Sequence, residues 1–305
     1  MNIRKELKKI VDIGSRTSLV LSEFLAVIAG KKPVLIAGFH SESGKELIKS
    51  NFPNLTLFCG EIIIGNKQKN LCVISRNKSF AKQAIECLYS DNKKMGQLLG
   101  YPKCCIEKYL QVFNTSEIST NSPTITHQSY RNAKKCNFLT NNLFNFSSRI
   151  DCKKEQSKLY SQYRGLNNKE FFISSWNNLQ FISHIPCSYD CKKSIKIGEE
   201  IDSLLKKYAP DIEKIIRYTL SKPILFFDLF KLVVFDGHLK GDILYYNKII
   251  PPYFPLENLL MKKIKNGNKV VVTKSKVEIF KNNLSLFVYQ KKNETDGFIL
   301  DFSED

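Results

Sequence analysis

Four of the chain's nine cysteines fall into two tight groups, Cys104-Cys105 and Cys187-x-x-x-Cys191. The first sits in Gly100-Tyr101-Pro102-Lys103-Cys104-Cys105. Gly100 reads as the end of one helix and Pro102 as the first position of the next. Both cysteines are then expected in a first helical turn, where free N–H groups and the helix dipole favour thiolates, the form that ligates metals or attacks as a nucleophile. The second sits in His184-Ile185-Pro186-Cys187-Ser188-Tyr189-Asp190-Cys191. A helix beginning at Cys187 would place Cys191 one turn later on the same face. A C-x3-C spacing suits zinc or an iron–sulfur cluster, whereas the C-x2-C of zinc knuckles and dithiol redox sites is absent. Four sulfurs from two helix starts match one four-ligand metal centre.

Adjacent residues of a regular helix point about 100° apart. That places one small ion awkwardly between Cys104 and Cys105 and suits a broader cluster. The first reading is therefore an iron–sulfur cluster, 4Fe-4S, on Cys104, Cys105, Cys187 and Cys191, or on three of them with one open iron. Zinc on the same residues is the alternative. Cys187-x3-Cys191-x2-Ser194 departs from the C-x3-C-x2-C loop of radical enzymes that use S-adenosylmethionine by its serine at the third place. His184, Asp190 and Ser194 are the catalytic candidates. His184 is read as ligand, proton donor or core histidine, and Asp190 and Ser194 as caps or hydrogen-bond partners of the ligands. Tyr101 and Glu107 flank the first pair with the same ambiguity. Lys103, Lys192 and Lys193 would favour thiolates and attract an anionic substrate.

At these residues the chain resembles the domain-of-unknown-function family 483, found in archaea and some bacteria. Gly-Tyr-Pro-Lys-Cys-Cys at 100–105 and His-Ile-Pro-Cys-Ser-Tyr-Asp-Cys at 184–191 look like its two signatures. The resemblance runs from the first domain to about Gly198. It implies that the four cysteines belong together, and it names neither a metal nor a reaction.

The remaining cysteines read differently. Cys59, Cys72 and Cys87 lie in apolar contexts and are expected as buried hydrophobes. Cys136 and Cys152 stand beside lysines in polar segments and are expected as exposed thiols.

The elements that must position the centre suggest an α+β chain in three parts: an α/β unit over 1–94, a helical cysteine-bearing region over 95–200, and two helices with a β-rich part over 201–305. The first part alternates a helix at about 18–29, a strand at 33–38, a helix from Ser41 or Ser43 to about 51, strands at 55–64 and 70–75, and one long helix at 80–99. This suggests a small open α/β sheet. Gly38-Phe-His-Ser-Glu-Ser-Gly44-Lys45 has five residues between its glycines where a phosphate loop has four, and Glu46 where Ser or Thr should bind magnesium. It reads as an ordinary turn, and an NTPase is excluded. The middle holds a Ser/Thr/Asn-rich connector at 115–123 and the single Trp176. The last part reads as helices at 198–208 and 210–220. Strands follow at 225–235, 242–250, 269–273, 277–280, 284–290 and 298–302. Asp236-Gly237, Asn266-Gly267, Asn282-Asn283 and Asp296-Gly297 are the expected hairpin turns.

The 305 residues are 43% apolar, which excludes intrinsic disorder as the main state. No run approaches the roughly 18 apolar residues of a spanning helix. The charged N-terminus lacks the apolar run of a signal peptide, so a soluble, cytoplasmic protein away from membranes is expected. The net charge is +18, carried by 40 Lys and only seven Arg. Such a surface admits nucleic acid, although arginine is the residue that forks onto phosphates and base edges. Two functions follow. One is an iron–sulfur enzyme doing redox or sulfur-transfer chemistry on a small or nucleotide-like anionic substrate, with an electron- or sulfur-donor protein. The other is a structural-zinc protein that binds RNA or DNA without catalysis. A bare scaffold with reduced cysteines is the third reading.

Overall fold

The computed structural model describes residues 20–39, 42–64, 67–88, 90–115, 123–144, 179–228, 231–250 and 258–304. Segment 1–19, the connector at 116–122, Cys152 and Trp176 lie outside them.

The chain is α+β. An apolar helix α1 (Leu21–Ile28), buried along nearly its whole length, leads into β1 (Val34–Gly38), α2 (Glu42–Asn51), β2 (Thr56–Ile64) and β3 (Lys67–Ser75). These strands form an antiparallel sheet of order β1-β3-β2, because β2 and β3 pair directly as a hairpin. The register sets Cys59 opposite Cys72, and the two form a disulfide. This corrects their reading as independent buried thiols: Cys72 is buried, while Cys59 is exposed on β2. Cys87 is buried as expected.

The single helix expected at 80–99 is two, α3 (Lys78–Cys87) and α4 (Asn92–Leu98). Asp91 starts the second by accepting a hydrogen bond from the Lys94 amide at 2.9 Å, so a capping side chain interrupts the apolar periodicity. Then come α5 (Lys103–Thr115), α6 (Pro123–Arg131), a 3-10 turn (Phe138–Thr140), α7 (Lys192–Tyr208) and α8 (Pro210–Leu220). Helix α7 begins at Lys192 and not at Gly198. Gly198 lies inside it because a Cβ there would stand 2.8 Å from Leu139 Cβ and 3.0 Å from its carbonyl oxygen. The glycine lets α7 rest on the 3-10 turn.

The C-terminal part holds β4 (Ile224–Asp228), β5 (Lys231–Lys240), β6 (Ile243–Ile250), α9 (Asn258–Asn266), β7 (Lys269–Val272), β8 (Lys276–Lys281), β9 (Leu284–Gln290) and β10 (Phe298–Leu300). They make an antiparallel sheet of order β10-β4-β5-β6-β7-β8-β9. The run expected as one strand at 225–235 is β4 and the start of β5. Asp236-Gly237 is no hairpin turn but an irregularity within β5, where the Gly237 Cα faces the Tyr245 carbonyl too closely for any side chain. The turn falls at Gly241, with φ +61°. Asn282-Asn283 does close a hairpin. Asn266-Gly267 ends α9, a helix that sequence patterning did not anticipate, and Asp296-Gly297 leads into β10, which crosses to pair with β4.

One core joins the parts: Phe24 of α1, Leu139, Tyr189, Leu205 and Ile216 pack with Phe226, Val234 and Phe302 of the C-terminal part. The other face of that sheet packs Val233, Leu244 and Val270 against Leu260 and Ile264 of α9. Among the described residues no helix is long and apolar enough to cross a membrane.

Candidate metal centre

Cys104, Cys105, Cys187 and Cys191 meet, with all four sulfurs within 4.8 Å of one another. The separations are 4.0 Å for Cys104–Cys105 and 3.9 Å for both Cys104–Cys191 and Cys105–Cys191. The four are placed to bind a metal.

Gly100, with φ +75°, ends the turn after α4 as expected. The Pro102 carbonyl accepts from the Cys105 and Ile106 amides at 2.9 and 3.0 Å. Pro102 is therefore the cap, one place earlier than its sequence role, and both cysteines fall in the first turn of α5. The second group departs from expectation. Cys187 lies in a loop ahead of the helix, and Cys191 is the N-cap of α7. The loop turns back so that the Cys187 amide donates to Cys105 Sγ at 3.3 Å. The adjacent Cys104 and Cys105 sulfurs on α5 also converge, to 4.0 Å, more closely than their expected splay on a regular helix.

The loop is held by residues that sequence reasoning missed. The Ser129 hydroxyl donates to the Pro186 carbonyl at 2.7 Å, and Asn132 donates to that of Cys187 at 3.1 Å. The Tyr189 carbonyl takes the Asn137 amide at 2.9 Å and the Thr140 hydroxyl at 2.7 Å. The Tyr189 ring is buried edge-on to Phe302, 5.1 Å between centroids. Isolated Ser, Asn and Thr scattered over 129–140 carry no motif, so only the path of the chain reveals them. Cys136, expected exposed, is buried beside this loop, and burial pushes its thiol up to about 12. Neighbouring Lys134 and Lys135 point outward while the cysteine joins the core.

The catalytic candidates divide. The Ser194 hydroxyl is buried between Cys105 Sγ at 3.3 Å and His184 Nε2 at 2.8 Å. A Cys105 thiolate can only accept, so Ser194 donates to sulfur and accepts from His184 Nε2–H. His184 is buried and held down to about 3 by its desolvation and then by the charge of Lys32. It is a neutral supporting ring, not one of the converging ligands. Asp190 serves the loop: it receives the Lys134 amide at 2.9 Å and the Ser188 hydroxyl. Burial pushes the Cys187 thiol up to about 12. Burial acts on Cys191 too, but hydrogen bonds to its sulfur, among them those from the Ser194 amide and the neighbouring cysteines, outweigh it and hold that thiol down to about 7. Of the flanking groups, Lys103 pairs with Glu107 on the surface at 3.8 Å, and Lys192 and Lys193 are exposed.

A cleft beside His184 is lined by Tyr101, Ser183 and two lysine–glutamate pairs, Lys32 with buried Glu23 and Lys31 with Glu200. The Tyr101 hydroxyl meets Ser183 Oγ at 3.2 Å, and the Lys32 ammonium lies 5.1 Å from the Tyr101 ring centroid. Comparison with protein-family models, curated proteins and solved structures finds no match for this chain.

Proposed function

We propose that this is a zinc protein whose four-cysteine centre is structural. The sulfur spacing carries the reading. Four thiolates on one tetrahedral ion, with zinc–sulfur bonds of about 2.3 Å, stand about 3.8 Å apart, against 3.9 to 4.0 Å for three pairs here. In a four-iron cubane each thiolate ends on a different iron, and the sulfurs stand well beyond the 4.8 Å that contains every pair. Four protein ligands also leave no open position, as structural zinc sites require and catalytic ones avoid.

In this role the ion ties the start of α5, the loop at 185–190 and the N-terminus of α7 into one joint. Cys105 is steadied by Ser194 and the Cys187 amide, the outer hydrogen bonding that orients ligands in closed sites. The test is a metal count on protein purified without oxygen, followed by cobalt exchange. One zinc per chain, replaced by cobalt with the spectrum of a tetrahedral tetrathiolate, is expected. A brown protein carrying near four irons and matching sulfide would overturn the reading in favour of the cluster enzyme.

A further inference from the structure

The C-terminal sheet changes character along its strand order. Residues Phe226, Val234 and Ile250 on one face pack into the main core. Beyond β5's midpoint the same face leaves that core, while the opposite face stays packed on α9 through Leu244, Val270 and Ile279. Register then sets one row across four strands: His238 opposite Tyr245, Tyr245 opposite Lys269, and Lys269 opposite Phe280. His238 and Tyr245 stack with centroids 5.7 Å apart and planes at 21°, and Lys269 Nζ lies 4.4 Å from the centre of the Phe280 ring. Tyr245 keeps 36% of its surface exposed. On the same face Lys240 lies one row along, in line with Ile243, Val271 and Glu278, and Lys276 follows Glu278 on β8.

The charge around this row is strongly net positive. From Lys231 to Lys292, the span of all four strands, there are twelve lysines and four acids, Asp236, Asp242, Glu257 and Glu278. Glu278 is engaged by Lys276 at 2.7 Å and by Ser285 at 2.9 Å, and Asp236 by Lys222 at 3.2 Å. Lysines neutralise phosphates wherever they sit, but the exposed His238 and Tyr245 rings and the half-buried Phe280 add something charge alone lacks, a surface on which unpaired bases stack. A duplex buries its base faces and offers such rings nothing.

We propose that the face built on His238, Tyr245, Lys269 and Phe280 binds single-stranded nucleic acid, with bases on the rings and phosphates on Lys240, Lys269 and Lys276. The site is independent of which metal the cysteines hold.

The test uses full-length, metal-loaded protein and fluorescence anisotropy with labelled oligouridine and oligothymidine of about 12 nucleotides, with a duplex of the same length as a third probe. Single strands of either sugar bind, and the duplex binds more weakly. Tyr245→Ala lowers affinity about tenfold while Tyr245→Phe keeps it. Three phosphate contacts give a log–log salt slope of about −2, an affinity loss of about twentyfold between 50 and 200 mM salt. The double variant Lys240→Gln/Lys276→Gln flattens that slope by about 1.4 and reads the same face should the tyrosine variant fail to fold. Lys82→Ala, on α3, which packs against the three-stranded sheet, changes nothing. The proposal is overturned by an absence of single-strand binding, by duplex binding as tight, or by Lys82→Ala costing as much as Tyr245→Ala. It is equally overturned if this face proves to be a dimer contact that Tyr245→Ala dissociates.

Discussion

A metal held by the four-cysteine centre would cross-link parts of the chain that are far apart in sequence, and stripping it would remove that link. Cys105 and Cys187 are separated by 82 residues. A cross-link closing a loop of that span restricts the unfolded chain by about 4.5 kcal/mol at 25 °C. The unfolding entropy of 305 residues is about 0.64 kcal/mol/K near the transition, so losing the cross-link should lower Tm by about 7 °C. The assay is scanning calorimetry under reducing conditions, before and after treatment with a strong chelator, with zinc counted in each sample. Cys187→Ser/Cys191→Ser should show the same drop and no further response to chelator. Cys104→Ser leaves three thiolates spanning the same loop and should fall less. A metal-free protein whose Tm drops by less than about 2 °C would refute the idea that the centre acts as a long-range clip, whatever its metal.

Three further outcomes follow from buried neighbours. Gly198→Ala drives a methyl into Leu139, 2.8 Å away, and should cost about 1–3 kcal/mol in urea unfolding; an unchanged midpoint would show that α7 and the 3-10 turn do not pack so closely. Lys32→Met leaves the buried Glu23 carboxylate without its partner and should cost about 3–5 kcal/mol, with Glu23→Leu/Lys32→Met recovering most of it; equal losses in both variants would contradict this. His184, facing the Lys32 ammonium and the Tyr101 ring and reaching Cys105 through Ser194, has a folded pKa of about 3, below its unfolded value of about 6.5. As pH falls below that unfolded value only the unfolded chain takes the proton, so stability is complete above it and is lost downward. Between pH 7 and 5 the natural protein should lose about 2 kcal/mol more than His184→Gln; parallel pH profiles would show that the ring titrates in place.

Much of the local structure is legible because its signals lie within a few residues. Gly100 and Pro102 place a helix start at Cys104-Cys105, and, β4 and β5 apart, the strands of both sheets fall near their expected positions. Errors arose where a short-range signal had a long-range cause. Gly198 looks like a helix boundary but is a contact with Leu139, and Asp236-Gly237 looks like a turn but is a close approach to Tyr245. The lysines beside Cys136 suggest exposure, yet the cysteine between the helix and the 3-10 turn is buried.

The same division holds for function. Residue type and spacing alone singled out Cys104, Cys105, Cys187 and Cys191 as the candidate set, with a three-cysteine site left open, since two tight groups of thiols are local facts. The sequence could not say how far apart their sulfurs stand, and a single ion and a cluster differ in that distance. It depends on how a loop clamped by Ser129, Asn132, Asn137 and Thr140 packs against a helix 82 residues away. The Cys59–Cys72 bond and the His238–Tyr245–Lys269–Phe280 row likewise exist only through strand register. Pairing across a sheet brings together residues that no spacing along the chain relates, so only the tertiary structure decided them.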